Sequence, residues 1–416
     1  MKEQELIPHL FRTEFRKITA VLCKHFGFEH IEMAEDIASD TFLSAVEIWS
    51  YQGLPPNPTA WLYAVAKNKA KNQRTRKTLF TDKIVARIQE GYPESEEMGI
   101  DLSEKNITDS QLQMLFVLCH PSISEEAQIG LSLRILCGFG IDEIADAFLT
   151  NKELVNKRLF RAKEKLRQQK VQVEFPMQNE INTRLETVLR TLYLLFNEGY
   201  YSESKDKLLR QDLCLEAMRL VYLLIENEAT NQPPVRALFA LMCFHASRFE
   251  AREDKNGAMI LYDDQDESLW NQALIGKGMY YLNKASQGIS FSKYHLEAGI
   301  AYWYTVKTDS QEKWESILQL FNKLLQIDYT PVAALNRTYA LSKVKGKAAA
   351  IAEAEKLNLI GSHYYFVLLG ALYTGIDNAK AMDNFGKALA MAKTKTDKLS
   401  IQKKMDSIIQ AGSASS

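Results

Sequence analysis

Apolar residues in this chain recur at steps of three and four along nearly its whole length and almost nowhere alternate one by one. That period commits the chain to helices. Leu10, Phe11, Phe15, Ile18, Val21 and Leu22 form one stripe. Ile37, Phe42, Ala45, Val46 and Trp49 form a second, and Trp61, Leu62, Val65 and Ala66 a third. Breakers are scarce, with 10 prolines and 19 glycines in 416 residues. The expected fold class is all-α.

The breakers that do occur divide the chain. Residues 1–85 read as a small helical domain in which the loop YQGLPPNP (51–58) precedes a third helix, with Pro58 in its first turn. Residues 86–108 read as an acidic, flexible linker, since EGYPESEEMGIDLSE (90–104) combines glycine, proline and six acidic groups. A second helical domain is expected over 109–172, a short joint over 173–181, a helical extension over 182–408 and a disordered tail over 409–416. Within the extension, Leu335 and Leu369, Tyr339 and Tyr373, Ile351 and Phe385, and Ala354 and Ala388 are each 34 residues apart, and Ile317 precedes Ile351 by the same interval. That is the tetratricopeptide period, so stacked helical hairpins are expected there.

Charge adds a functional constraint. The whole chain carries 51 basic and 52 acidic groups, which excludes a uniformly basic coat for nucleic acid. The distribution is polarised nonetheless. KNKAKNQRTRK (67–77) holds six basic groups and no acidic one, and residues 152–170 hold eight basic groups against Glu153 and Glu164. Two basic helices of this kind suit phosphate backbone, although a basic run can equally be a solvated face.

The second run closes a helix-turn-helix pattern. Ile144, Ala145, Phe148 and Val155 have the spacing that lets two helices share a core, with the turn near Leu149–Lys152. The following helix would present Lys152, Asn156, Lys157, Arg158, Arg161 and Lys163 to a major groove. In the first run, Lys67, Lys71 and Arg74 share one stripe with Asn68 and Asn72 beside it and Arg76 beyond. Trp49 and Tyr51 lie just upstream, where aromatic faces could stack unpaired bases.

Other chemistry finds little support. Asp263, Asp264, Asp266 and Glu267, with Glu198 and His245, read as solvated or capping groups more readily than as a carboxylate site. No His/Cys group has metal-ligand spacing, and neither a phosphate loop nor a dinucleotide fingerprint is present. No metal, cofactor or catalysis is expected. The five cysteines, an odd number without a C-x-x-C pair, read as reduced thiols of a cytoplasmic protein. The longest apolar run, 364–373, is too short to span a bilayer.

EDIASDTFLSAVEIW (35–49), NPTAWLYAVAKNKAKNQRTRK (57–77) and KRLFRAKEKLR (157–167) together resemble regions two and four of an extracytoplasmic-function-type sigma factor of the sigma-70 family. LFVLCHPSISEEAQIGLSLRIL (115–136), LYLLFNEGYY (192–201) and LYDDQDESLW (261–270) resemble the subgroup with a C-terminal tetratricopeptide-like extension. The resemblance implies two small helical sigma domains followed by a helical solenoid. It implies that Glu35, Asp36, Asp40, Thr41 and Phe42 dock on core RNA polymerase. It assigns 50–57 and 61–77 to the −10 promoter element and the helix from Lys152 to the −35 element. Common members carry Asp near Asn72, Gly at Leu149 and Thr at Leu154, so the base contacts of this chain depart from theirs. The expected partners are core polymerase, promoter DNA and an intramolecular or protein partner for the extension. Two alternatives stay open: a helix-turn-helix regulator acting without polymerase, and a tetratricopeptide scaffold.

Overall fold

The structure, a computed structural model, describes residues 3–85, 99–148, 150–200, 207–252, 260, 262–287, 291–393 and 395–413. Every regular element among them is helical. They form two compact units, Met1–Asn231 and Gln232–Ser416.

The first unit opens with α1 (Glu3–Phe26), α2 (Ile31–Gln52) and α3 (Pro58–Val85). Asn57 starts α3 by accepting the amide of Ala60 at 3.0 Å, and Pro58 takes the first position, where no amide donor is needed. The three stripes are buried where α1, α2 and α3 pack on one another: Phe15, Ile18 and Leu22 on α1, Ile37, Phe42 and Ala45 on α2, and Leu62 and Ala66 on α3. Val46 departs from the expected second stripe and is exposed. It lies about 100° round the helix from Ala45, outside the arc that Ile37, Thr41, Ala45 and Trp49 bury.

Of the segment read as linker, 86–98 lies outside the described residues. Leu102 is buried with Val21 and Ile107, and Ile100 and Tyr63 pack against them. Ser103 caps α4 (Glu104–Leu118) by accepting the Asn106 amide. There follow α5 (Glu125–Leu131), a π-helical turn (Ser132–Leu136), α6 (Ile141–Ala147) and α7 (Lys152–Gln168). The joint expected at 173–181 lies inside this unit, which continues through α8 (Ile181–Tyr200) and α9 (Lys207–Glu226). Helix α8 packs on α4 and α5: Arg184 donates to the Phe116 carbonyl at 2.6 Å, and the buried Thr191 hydroxyl donates to Gln128 Oε1 at 2.7 Å.

The second unit holds α10 (Pro233–Ala246), α11 (Gln272–Ala285), α12 (Lys293–Trp303), α13 (Gln311–Ile327), α14 (Pro331–Lys345), α15 (Lys347–Leu357), α16 (His363–Tyr373), α17 (Asn378–Met391) and α18 (Lys395–Ser413). From α13 onward each helix packs chiefly on its neighbours in sequence, the arrangement of a repeat solenoid. The 34-residue pairs fall on matching helices: Leu335 and Tyr339 on α14 against Leu369 and Tyr373 on α16, Ile351 and Ala354 on α15 against Phe385 and Ala388 on α17. All eight belong to one apolar cluster. Gly370 is what lets α16 and α17 close, since a Cβ there would stand 2.7 Å from the Phe385 ring. At the C-terminus, α18 runs through 409–413, which the sequence suggested would be a disordered tail, because Ile401 and Ile408 are buried against the last hairpin.

Candidate nucleic-acid interface

Helix α7 begins where Asn151 accepts the Leu154 amide at 2.8 Å. Val155, Leu159, Ala162 and Leu166 bury one side, and Ile144 and Ala145 of α6 close the shared core. The opposite side exposes Lys152, Asn156, Lys157 and Arg161, with Arg158 half-buried at the edge. Lys152 reaches across the turn to Asp142 at 2.6 Å. Leu149, in that turn, lies outside the described residues. Lys163 does not join the outward row. It stands between Ala162 and Leu166 in sequence, on the inward arc, and its side chain is only 13% exposed.

Two apolar side chains accompany the exposed row: Leu154 and Phe160. Phe160 is four residues after Asn156 and 63% exposed, so it belongs to the same face. Its helical spacing carried that signal in the sequence, but an aromatic residue is read first as core.

On α3, Lys67, Asn68, Lys71 and Asn72 are exposed along successive turns. Arg74 and Arg76 continue the helix, with side chains outside the described residues. The two aromatic candidates separate sharply. Trp49 is 6% exposed and meets Trp61 edge-on at 5.3 Å between ring centroids, as a core residue does. Tyr51 is 91% exposed.

The acidic candidates on α2 also divide. Asp36 and Asp40 are exposed, and Leu43, 60% exposed, follows them on the same face at steps of four and three. Thr41 is buried and donates to the Ile37 carbonyl at 2.7 Å, and Phe42 packs edge-on against Phe11. Those two hold the helix rather than present a surface. Glu35 is engaged internally: its carboxylate accepts from Lys163 at 2.5 Å and lies 3.4 Å from Arg134 Nε. Glu32, one turn earlier, pairs with Arg167. Neither Glu32 nor Arg167 was singled out by pattern, because pairs 135 residues apart leave no local trace.

Further charge pairs tie the unit together. Arg12 bridges Glu143 of α6, at 2.8 Å, and Asp212 of α9. Arg16 lies 2.5 Å from Glu216, which also accepts from Arg219. Burial alone would raise the Glu216 carboxyl, but the guanidinium groups of Arg219 and Arg16 outweigh it and hold the group below its ordinary value. Burial pushes the thiols of Cys119, Cys137 and Cys243 up to about 12, and all five cysteines are buried.

Among the described residues no group of three His, Cys, Asp or Glu side chains could hold a metal ion. Asp266 caps the Ser268 amide at 2.9 Å, and Asp264 is exposed. Burial and the nearby Arg248 and Arg252 push the His245 imidazole well below its ordinary value. The side chain of Asp263 lies outside the described residues. No helix among them is long and apolar enough to cross a membrane.

Residues 10–79 match the model for sigma-70 region 2, and residues 184–286 match a family of unknown function, DUF6596. An uncharacterized protein of Rhizobium meliloti is 31% identical over 387 residues, covering 91% of this chain and 90% of that protein. An ECF RNA polymerase sigma-E factor of Haemophilus influenzae is 28% identical over 152 residues, covering 36% of this chain and 78% of that one. No solved structure matches at a significant level. The helix bundle that presents α2 and α3 is thus the part the region 2 model describes, and the helices from α8 onward are an addition to it. This chain belongs to the extracytoplasmic-function-type sigma factors of the sigma-70 family, among members with a C-terminal helical extension.

Proposed function

We propose that this protein binds core RNA polymerase through α2 and directs initiation by placing α3 at the −10 element and α7 at the −35 element. What carries the reading is the outward row of α7. Asn156, Lys157 and Arg161 stand clear of the protein on a helix whose other side is fully packed, and a helix with such a face fits a major groove. Phe160 and Leu154 add apolar contacts suited to thymine methyl groups. On α2, Asp36, Asp40 and Leu43 make a mixed acidic and apolar face for the polymerase. Polymerase supplies the chemistry, and the second unit acts as a protein-interaction or regulatory module.

Run-off transcription with purified core polymerase tests the reading, and failure on every cognate promoter fragment would overturn it. Lys157→Glu and Arg161→Glu are expected to lower promoter binding about tenfold each at moderate salt, as loss of a phosphate contact does, while core binding is unchanged. A helix-turn-helix regulator acting alone would instead bind duplex DNA without polymerase.

A further inference from the structure

Helix α7 stops abruptly, and a cavity lies beside its end. Lys170 takes the left-handed region at φ 51°, and the Val171 amide donates back to the Leu166 carbonyl at 3.2 Å, so the chain turns off the helix axis. The segment that follows lies against α4, where Phe175 meets Phe116 edge-on at 5.3 Å between ring centroids. From the first turn of α8, Arg184 donates through Nη2 to the Phe116 carbonyl at 2.6 Å. These pieces enclose a cavity of about 410 Å³, within the range of small-molecule sites. Phe116, Val171, Phe175 and Pro176 give it apolar walls, and His120 and Arg184 bring polar groups to it.

Both polar groups hold a donor that nothing uses. Arg184 Nε is buried and meets no acceptor among the described residues. Burial pulls that guanidinium below its ordinary value, so its charge is held there at a cost that an anion would offset. On His120, the Ser122 amide donates to Nδ1 at 3.2 Å, which makes Nδ1 the accepting nitrogen and places the proton of the neutral ring on Nε2. Burial, with Arg184 nearby, lowers the imidazole below its ordinary value and favours that neutral form. Two unused N–H groups beside an apolar wall suit the two oxygens of one carboxylate.

Charge at the mouth narrows the choice further. Glu174 and Glu180 also line the cavity, and both are exposed. Glu180 acts on Arg184 electrostatically, yet no ion pair joins them. A ligand carrying a second negative charge would meet these two carboxylates, which disfavours dicarboxylates and phosphate esters.

We propose that this cavity binds a small monocarboxylate with an apolar body, its carboxylate taken by Arg184 Nε and His120 Nε2 and its body lying against Phe116 and Phe175. The site is independent of the promoter reading. It sits on the joint by which α7 leads into α8, so its occupant braces that joint.

The probe is para-fluorophenylacetate, followed by its fluorine NMR signal as it is titrated against the full-length protein. A dissociation constant on the order of 1 mM is expected for a ligand of about ten non-hydrogen atoms. Phthalate, with two charges, and benzyl alcohol, with none, should compete about tenfold less well than phenylacetate. The amides of Gln169 and Val171 are hydrogen-bonded at the cavity edge, and their hydrogen exchange should slow about tenfold when the probe is at ten times its dissociation constant. Arg184→Gln should weaken binding about tenfold, as loss of a charged hydrogen bond does. Val171→Trp fills the space and leaves both donors in place, so it should abolish binding, and it serves as the test if Arg184→Gln does not fold. Phthalate or benzyl alcohol binding as well as phenylacetate would overturn the choice of ligand. Full binding by Val171→Trp, or unchanged exchange at Gln169 and Val171, would place the probe elsewhere and overturn the site. So would wild-type protein that binds no probe at about 10 mM, which would leave the cavity to water.

Discussion

Trp49 and Tyr51 are two residues apart and have opposite fates. Both were candidates for stacking on unpaired bases, since helical spacing alone cannot say which of two nearby aromatics points inward. The structure places Trp49 against Trp61 under the loop and leaves Tyr51 outside. Trp49→Ala is therefore expected to cost about 3–5 kcal/mol of stability in denaturant melts. Tyr51→Ala should leave the melt within about 0.5 kcal/mol of wild type. It should instead slow promoter opening, measured by the fluorescence of a base analogue within the −10 element. Equal destabilisation by both substitutions would refute the assignment.

At the scale of elements, periodicity identified the helices well because each buries one continuous arc. Chemistry at their surfaces was less legible. Val46 and Leu43 are apolar and exposed, while Lys163 and Glu35 are charged and nearly covered. Residue type suggests the reverse in all four cases, and for Lys163 and Glu35 only their ion pair between α7 and α2 settles it. The hairpin repeat was legible because matching packing positions return every 34 residues, whereas the reach of α9 to Arg12 and Arg16 depends on tertiary pairing that leaves no period. Gly370 makes the hairpin prediction concrete. Gly370→Val forces branched carbons into the Phe385 ring and should destabilise the second unit by about 1–3 kcal/mol, read from its own unfolding transition. Gly386, with nothing near a would-be Cβ, is the control.

At the scale of the molecule, the sequence suggested a boundary near 173–181, where proline and polar residues interrupt the helices. The chain does turn there, but Leu185, Val188, Leu192 and Leu195 of α8 then return to the first unit's core. A chain ending at Asn231 should therefore fold cooperatively, with a thermal transition close to that of the first unit in the full protein. A chain ending at residue 181 should lose several buried leucines at about 2–5 kcal/mol each and aggregate on purification. Indistinguishable melts for the two shortened chains would refute the placement of α8.

The segment shared with the family of unknown function, 184–286, starts on α8 in one compact unit and finishes at the end of α11 in the other. It is thus not a cassette. Moved alone onto another protein, it would carry two helices of each of two cores, with raw apolar faces at both ends. Genetic shuffling should therefore transmit this stretch only together with the flanking helices, so that the N-terminal sigma part and its extension descend as a pair.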